Sequence, residues 1–178
     1  MKTSKTLNGE ASKPLNGEAS KRLLNALGIV LGFLLFVCFV PVVMWLVSGM
    51  PALWPVSPFR LFVVCLIAIV GLALSVWTIV YMKQRGKGNP MDAFGHELAP
   101  RTQHLMVDGP YSINRNPMLT GTLIYLIAPI VWIFTWQAIV VWAVFFAIMF
   151  VQVISEEKRL LRDFGDEYRD YCHRTRRF

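Results

Sequence analysis

Two short polar motifs in this chain carry residue types that could hold a charged ligand. Arg115-Asn116-Pro117 stands directly before the run 118–155, which contains no charged residue, and Glu156-Glu157 closes that run. Adjacent helical residues point about 100° apart, so the two carboxylates cannot act as an acid/base pair on one face. One of them could face the protein and accept hydrogen bonds from the hydroxyl or ammonium groups of a ligand. The other would then pair with a basic residue in the next turn.

The Arg115-Asn116-Pro117 motif has two readings. Asn116 can cap a helix that begins at Pro117, because asparagine favours the cap position and proline the first helical turn. A helix N-terminus also presents unpaired N–H groups and a positive dipole end, which bind carboxylates. Gly121, one turn further on, leaves room for a ligand or for close contact between helices.

A polar loop from Lys83 to Arg115 precedes this motif and is rich in glycine and proline. Its Gly86–Pro90 and Gly109-Pro110-Tyr111 segments are typical of specified turns rather than of free coil. His96 and His104 have no cysteine nearby, so the loop makes a weak case for a metal site, and we predict none.

Composition predicts a membrane protein. Of the 178 residues 55% are apolar, the mean hydropathy is +0.49, and no acidic residue occurs between Ala19 and Met91. About 20 apolar residues cross a bilayer as a helix. We therefore predict an all-α polytopic protein with about four transmembrane helices, a cytoplasmic loop at 83–117 and a C-terminal amphipathic helix at 155–178.

The basic residues divide unequally between the two sides of such a bundle. If four spans alternate, Arg60 is the one cation of the 18 Lys and Arg residues that falls on the other side. Positive charge accumulates on the cytoplasmic side, so both termini and the 83–117 loop are predicted to be cytoplasmic. From the net charge of +7 and its distribution, we expect the basic residues to contact anionic lipid headgroups and not nucleic acid.

Proline and glycine set the predicted element boundaries. The first span is placed at 23–47 with a kink at Pro41, and the second at 59–82. The run 118–155 is predicted to form a helical hairpin that turns near Trp132 to Trp136, with Pro129 bending its first arm. Gly165 is predicted to interrupt the C-terminal helix. Residues 1–21 carry an eight-residue repeat and are predicted to be a disordered tail, with 22–178 as the membrane domain.

Several motifs together resemble the isoprenylcysteine carboxyl methyltransferases and the related phospholipid methyltransferases. They are Leu105-Met-Val-Asp-Gly-Pro-Tyr111, Arg115-Asn-Pro-Met-Leu-Thr-Gly121, Glu156-Glu157 and Phe164-Gly-Asp-Glu-Tyr-Arg-Asp-Tyr171. Each motif is short, but their order and their spacing around a hairpin are fairly specific. The resemblance covers about 86–178.

The resemblance implies S-adenosylmethionine as the methyl donor, bound on the cytoplasmic side, and a lipophilic acceptor that enters from the bilayer. No residue is implied to be catalytic. By motif position, the residues implied to line the donor pocket are His96, Gln103, His104, Leu105, Met106, Tyr111, Asn116, Pro117, Met118, Leu119 and Glu156. Gly86 and Gly88 resemble a glycine motif assigned to the donor in the phospholipid enzymes.

Three positions depart from the prenylcysteine enzymes. Asn116 replaces a common histidine, Leu119 replaces a tyrosine, and Gln152 replaces an arginine on the substrate side. Without that cation a carboxylate substrate loses its natural partner, which argues against a prenylcysteine acceptor. We therefore expect methyl transfer to an O-, S- or N-nucleophile on a lipophilic acceptor, with Gln152 beside it. The alternatives are a phospholipid N-methyltransferase, or a non-catalytic lipid-binding or assembly protein. The sequence leaves the oligomeric state open.

Overall fold

The computed structural model describes residues 31–32, 34–85, 92–93, 96–97 and 105–178, with only the backbone at 92–93 and 96–97. The described part is essentially all helical, as predicted. Its elements are α1 (Leu34–Val47), α2 (Pro58–Arg85), β1 (Asp92–Ala93), β2 (His96–Glu97), a 3₁₀ helix (Gly109–Ser112), α3 (Pro117–Tyr125), α4 (Ile127–Ile133) and α5 (Trp136–Arg174). β1 and β2 form a two-residue antiparallel pair.

Two of these helices, α2 and α5, are long and apolar enough to cross a membrane. The shorter apolar helices are α1 and the α3–α4 segment Pro117–Ile133. The predicted tail 1–21 and the start of the predicted first span, up to residue 30, lie outside the described residues.

The type of helix in α1 changes next to Pro41, the position of the predicted kink. Residues Leu34–Phe39 form a π-helical segment that gives way to an α-helix at Val40. In an α-helix the Val37 carbonyl would accept from the N–H of residue 41, which proline lacks. The Tyr125 hydroxyl donates to that carbonyl at 2.8 Å. A side chain of α3 therefore supplies a donor that the sequence of α1 cannot.

Proline 129 has a comparable effect on the first arm of the hairpin. α3 ends at Tyr125, which is four residues before Pro129, and α4 begins after a turn at Leu126. The hairpin turns at Phe134, which has left-handed backbone angles (φ 57°), and at Thr135. The predicted bend and turn are both confirmed.

Close packing of α2 on α3 depends on two glycines. A Cβ on Gly71 would lie 2.6 Å from the Gly121 carbonyl oxygen and 2.3 Å from the Tyr125 nitrogen. A Cβ on Gly121 would lie 2.5 Å from the Ser75 hydroxyl. Gly121 therefore serves close contact between helices, the second of the two uses considered for it. Ser75 also donates to the Met118 carbonyl at 3.0 Å.

The buried core lies toward the hairpin turn. Val40, Met44, Leu126 and Ala138 pack together there and join α1, α5 and the α3–α4 break. At this end, which we call the hairpin end, the Ser48 and Thr135 hydroxyls are 2.6 Å apart. The opposite end, where α3 begins, is called the tail end.

Helix α5 changes direction at Gly165, whose φ of 52° and ψ of −121° are not helical. The predicted interruption is confirmed. The last four residues, 175–178, leave the helix and return toward its middle, where the Phe178 ring contacts Phe146 and Phe150. We call residues 175–178 the tail strap.

Candidate functional site

A carboxylate held by two guanidinium groups forms the centre of the tail end. Glu157 on α5 lies 3.1 Å from Arg115 Nη1, and Arg177 of the tail strap binds it through Nε at 3.1 Å and Nη2 at 2.7 Å. The Arg115 and Glu157 side chains are only 13% and 14% exposed. The paired hydrogen bonds from Arg177 are strong and directional and hold the tail strap on α5, while the Arg115 contact joins the start of α3 to the same carboxylate.

Asn116 occupies the cap position before α3, as one of the two readings predicts, and its carbonyl accepts from the Thr120 N–H at 2.9 Å. Among the described residues, its side chain accepts no hydrogen bond from the first turn of α3. Instead its Nδ2 donates to the Arg177 carbonyl at 3.1 Å, and its backbone N–H donates to Asn114 Oδ1 at 3.0 Å. The predicted helix start at Pro117 is therefore confirmed with Asn116 at the cap position, but the carboxamide is directed toward the tail strap and makes no capping hydrogen bond.

Three tyrosines connect the C-terminal part of α5 to the loop before α3. The Tyr171 hydroxyl donates to the Tyr111 carbonyl at 2.7 Å, and Tyr168 and Tyr171 are each 3% exposed. Burial raises the pKa of all three phenols well above the usual value of about 10. The nearby Glu156 carboxylate adds to the rise in the pKa of Tyr111. The three phenols therefore stay neutral further into the alkaline range than free tyrosine, and in that form Tyr171 donates its hydrogen bond.

The adjacent carboxylates of α5 have different surroundings. Glu156 lies 3.5 Å from Arg159 and its side chain is 42% exposed, whereas the Glu157 side chain is 14% exposed and contacts two guanidinium groups. The residues alone leave open which carboxylate faces the protein, and the family resemblance implies Glu156 for the donor pocket. In the structure the ion pair with the basic turn belongs to Glu156. Glu157 shares a helix face with Val153, which is four positions earlier and is 3% exposed in the structure.

The remaining predicted donor residues fall into two groups. Leu105, Met106, Tyr111, Pro117, Met118 and Leu119 lie in the segment that leads into α3 and in its first turn. Gln103, His104, Gly86, Gly88 and the His96 side chain lie outside the described residues. Among the described side chains, no group of three or more His, Cys, Asp or Glu could hold a metal ion.

Comparison with known families bears out the resemblance. The family model for phospholipid methyltransferase matches residues 59–167, more than half of the chain. The chain belongs to the phospholipid methyltransferase family. No curated protein and no solved structure matches it at a comparable level.

Membership in the phospholipid methyltransferase family implies methyl transfer to lipid-like substrates by a membrane protein. The matched region runs from the start of α2 to Glu167 and includes Arg115, Glu156 and Glu157. It ends before Tyr168, so the tail strap and the tyrosines of the last helical turns lie beyond the match. The contacts at the tail end thus join residues inside the matched region, such as Arg115 and Glu157, to residues beyond it, such as Arg177 and Tyr171.

The residues at the tail end fit a zwitterionic methyl donor. Arg115 Nε is buried and has no hydrogen-bond acceptor among the described residues. The N–H groups of Met118 and Leu119 belong to the first turn of α3, which has no intrahelical acceptor for them. These groups suit a carboxylate, and Glu156 suits an ammonium or a ribose hydroxyl.

An aromatic column leads from this site along α5. The Trp142 and Phe146 rings stack with centroids 5.7 Å apart, and Phe146 and Phe150 follow at 5.9 Å. Trp142 Nε1 donates to the Leu123 carbonyl at 3.1 Å, which holds the column against α3. Gln152, the predicted substrate-side residue, lies two residues after Phe150 on the same helix.

Proposed function

We propose that this protein transfers a methyl group from S-adenosylmethionine to a lipophilic acceptor in the membrane. The chain would cross the bilayer four times, through α1, α2, the α3–α4 segment and α5. Both termini and the loop 83–117 would be cytoplasmic, which is supported by the concentration of Lys and Arg on that side. The tail end would then face the cytosol, where the donor is dissolved.

One observation supports this proposal above the others. The start of α3 and the Glu156-Glu157 turn of α5, 40 residues apart in sequence, meet at the Arg115–Glu157 contact of 3.1 Å. This convergence places the motifs of a methyltransferase family around one end of the bundle. If the two helix ends did not belong to one site, there would be no reason for an ion pair to join these two family motifs.

Within this site, the side chains and N–H groups of the protein would bind the methyl donor and orient it toward the acceptor. Bound S-adenosylmethionine would supply an electrophilic methyl group on a sulfonium. Arg115 and the first N–H groups of α3 would hold a carboxylate, and Glu156 would accept from an ammonium or hydroxyl group. Holding the nucleophile in line with the methyl group provides most of the acceleration in such a displacement. Apolar surroundings at the Phe146–Phe150 face would exclude water from the nucleophile.

The acceptor would approach along the aromatic column, because that surface joins the tail end to the membrane-spanning part of α5. Gln152, one turn before Glu156 on a different face of α5 from Phe150, would offer an uncharged amide, which suits a neutral or amine nucleophile better than a carboxylate. Repeated methylation of phosphatidylethanolamine in lipid extracts, followed with labelled donor, would identify a phospholipid amine as the acceptor. Label in another lipid fraction would identify a different lipophilic nucleophile.

Donor binding is the direct test of the proposed function. Purified protein in detergent should bind S-adenosylmethionine in a calorimetric titration, and Glu156→Ala should weaken that binding at least tenfold. Glu167→Ala is the matched control, because it removes the same charge from an exposed position on the same helix. Both variants should keep the thermal transition of the wild type. Absence of binding in the folded wild type would favour a non-catalytic lipid-binding or assembly protein.

A further inference from the structure

The tail strap contacts Arg115 and Asn116, the two residues that lead into the turn of α3 where the proposed function places the donor. The backbone N–H of Arg115 donates to the Arg176 carbonyl at 2.8 Å, and Asn116 Nδ2 donates to the Arg177 carbonyl at 3.1 Å. The strap therefore places two carbonyl groups on the approach to α3. A carboxylate could not occupy the same approach, because carbonyl oxygens repel it.

The side chains of the strap cover the aromatic column as well. The Phe178 ring lies 5.8 Å from Phe146 and 6.3 Å from Phe150, centroid to centroid. The Arg177 guanidinium lies over the Phe150 ring at 5.5 Å. The strap thus extends from the start of α3 to the surface along which an acceptor would approach.

Charge balance allows the strap to leave. Glu157 has one carboxylate and two guanidinium partners, Arg115 and Arg177. If Arg177 moves away, Glu157 keeps Arg115, so no buried charge loses its last partner. Arg177 is also the more exposed of the two cations, at 37% against 13% for Arg115. Its release therefore costs less than the rupture of an isolated buried pair.

We propose that the tail strap is a displaceable latch, which closes the donor site in the free protein and leaves when S-adenosylmethionine binds. This inference rests on the proposed function. A site that is open in only part of the molecules binds its ligand more weakly, in proportion to the open fraction. Weakening the strap should therefore strengthen donor binding, whereas a strap that forms a wall of the pocket would have the opposite effect.

The first test is a calorimetric titration of S-adenosylmethionine into the full-length protein. Arg177→Gln and the double variant Arg177→Gln/Phe178→Ala should raise donor affinity several-fold, up to about tenfold. Arg174→Gln is the matched control, because it removes the same charge from the exposed last turn of α5, and its affinity should equal that of the wild type. Unchanged or weakened binding in Arg177→Gln overturns the latch.

The second test measures the distance between the tail strap and α5 directly. Spin labels at Arg176→Cys and Ile139→Cys, with the three native cysteines replaced by serine, report the distance from the strap to the far part of α5. The free protein should give a narrow distance distribution, and saturating S-adenosylmethionine or Arg177→Gln should broaden it. A distribution that stays narrow with bound donor overturns the latch and leaves the proposed function intact. If the strap opens in Arg177→Gln and still no donor binds, both the latch and the proposed function fail.

Discussion

A single hydroxyl group compensates for the proline in α1. The Tyr125 hydroxyl donates to the Val37 carbonyl, whose α-helical donor would have been the N–H of residue 41. Replacing Tyr125 by phenylalanine removes this donor and keeps the ring. We expect Tyr125→Phe to lower the free energy of unfolding by about 1–3 kcal/mol, the range for a buried polar group left without a partner. Thermal or chemical unfolding in detergent measures the change.

The matched control for Tyr125→Phe is the same substitution in a Pro41→Ala background. Alanine restores an N–H that can reach Val37, so the loss of the tyrosine hydroxyl should cost less there than in the wild type. A double-mutant cycle gives the coupling between the two positions. Equal costs in both backgrounds would show that the hydroxyl does not substitute for the missing N–H.

The adjacent carboxylates show how far single residues could be predicted. The charge-free run identified Glu156-Glu157 as a boundary pair, and family motifs drew attention to Glu156. Helical phase points to Glu157 once Val153 is known to be buried, and the apolar run 118–155 does not single out Val153 in the sequence. The second partner of Glu157, Arg177, was beyond prediction, because nothing local to residues 174–178 specifies that the chain returns to α5.

At the scale of elements, the kink at Gly165 positions the last turns of α5. Its φ of 52° and ψ of −121° lie in a region that residues with a Cβ rarely adopt, although a Cβ there would meet no atom within 4 Å. Gly165→Ala should therefore lower the free energy of unfolding by about 1–3 kcal/mol through backbone strain alone. A straighter helix would also separate the Tyr171 hydroxyl from Tyr111. Unfolding measurements and the labelled strap distance report these two effects separately.

Asp163→Ala is the control for Gly165→Ala. Asp163 is exposed on the same helix, two residues before the kink, and its replacement by a strong helix former should leave stability nearly unchanged. A Gly165→Ala protein as stable as Asp163→Ala would show that the kink is not imposed by the glycine.

Close contact between α2 and α3 gives a second prediction for elements. A Cβ at Gly71 or Gly121 would meet backbone atoms at 2.3–2.7 Å, and backbone cannot move aside as a flexible side chain can. We expect Gly71→Ala and Gly121→Ala each to destabilise the protein by about 1–3 kcal/mol, as overpacking does in other cores. Gly32→Ala is the control, because no atom lies within 4 Å of its Cβ position. If all three variants unfold alike, the close approach is not needed for stability.

The elements themselves were largely predictable, and the reason is physical. Long apolar runs require helices in a membrane, and proline and glycine mark where those helices bend or end. The bend before Pro129, the π-helical segment before Pro41 and the kink at Gly165 follow from local chemistry. The return of the tail strap depends on aromatic and ionic contacts between distant residues, which local patterns do not encode.

At the scale of the whole molecule, the asymmetry of charge predicts orientation. A cysteine at Ser57, in the connection between α1 and α2, should react from outside intact cells with a membrane-impermeant maleimide. A cysteine at Ile113, which is 55% exposed beside the start of α3, should react only after permeabilisation. Both are made with Cys38, Cys65 and Cys172 replaced by serine. The reverse pattern of labelling would place the tail end outside the cell.

Alkaline pH tests whether the tyrosines hold the tail end together. The pKa of Tyr171 is raised on folding, chiefly by burial, so the folded state favours the neutral phenol. For a group with a raised folded pKa, its contribution to stability is complete below the unfolded value of about 10 and is lost as pH rises through the folded value. The melting temperature of the wild type should therefore fall above about pH 10. The melting temperature of Tyr171→Phe, which has no phenol at position 171, should fall less steeply. Parallel slopes above pH 10 would mean that Tyr171 ionises as readily in the folded protein as in the unfolded chain, and its hydroxyl would then not hold α5 against the loop at Tyr111.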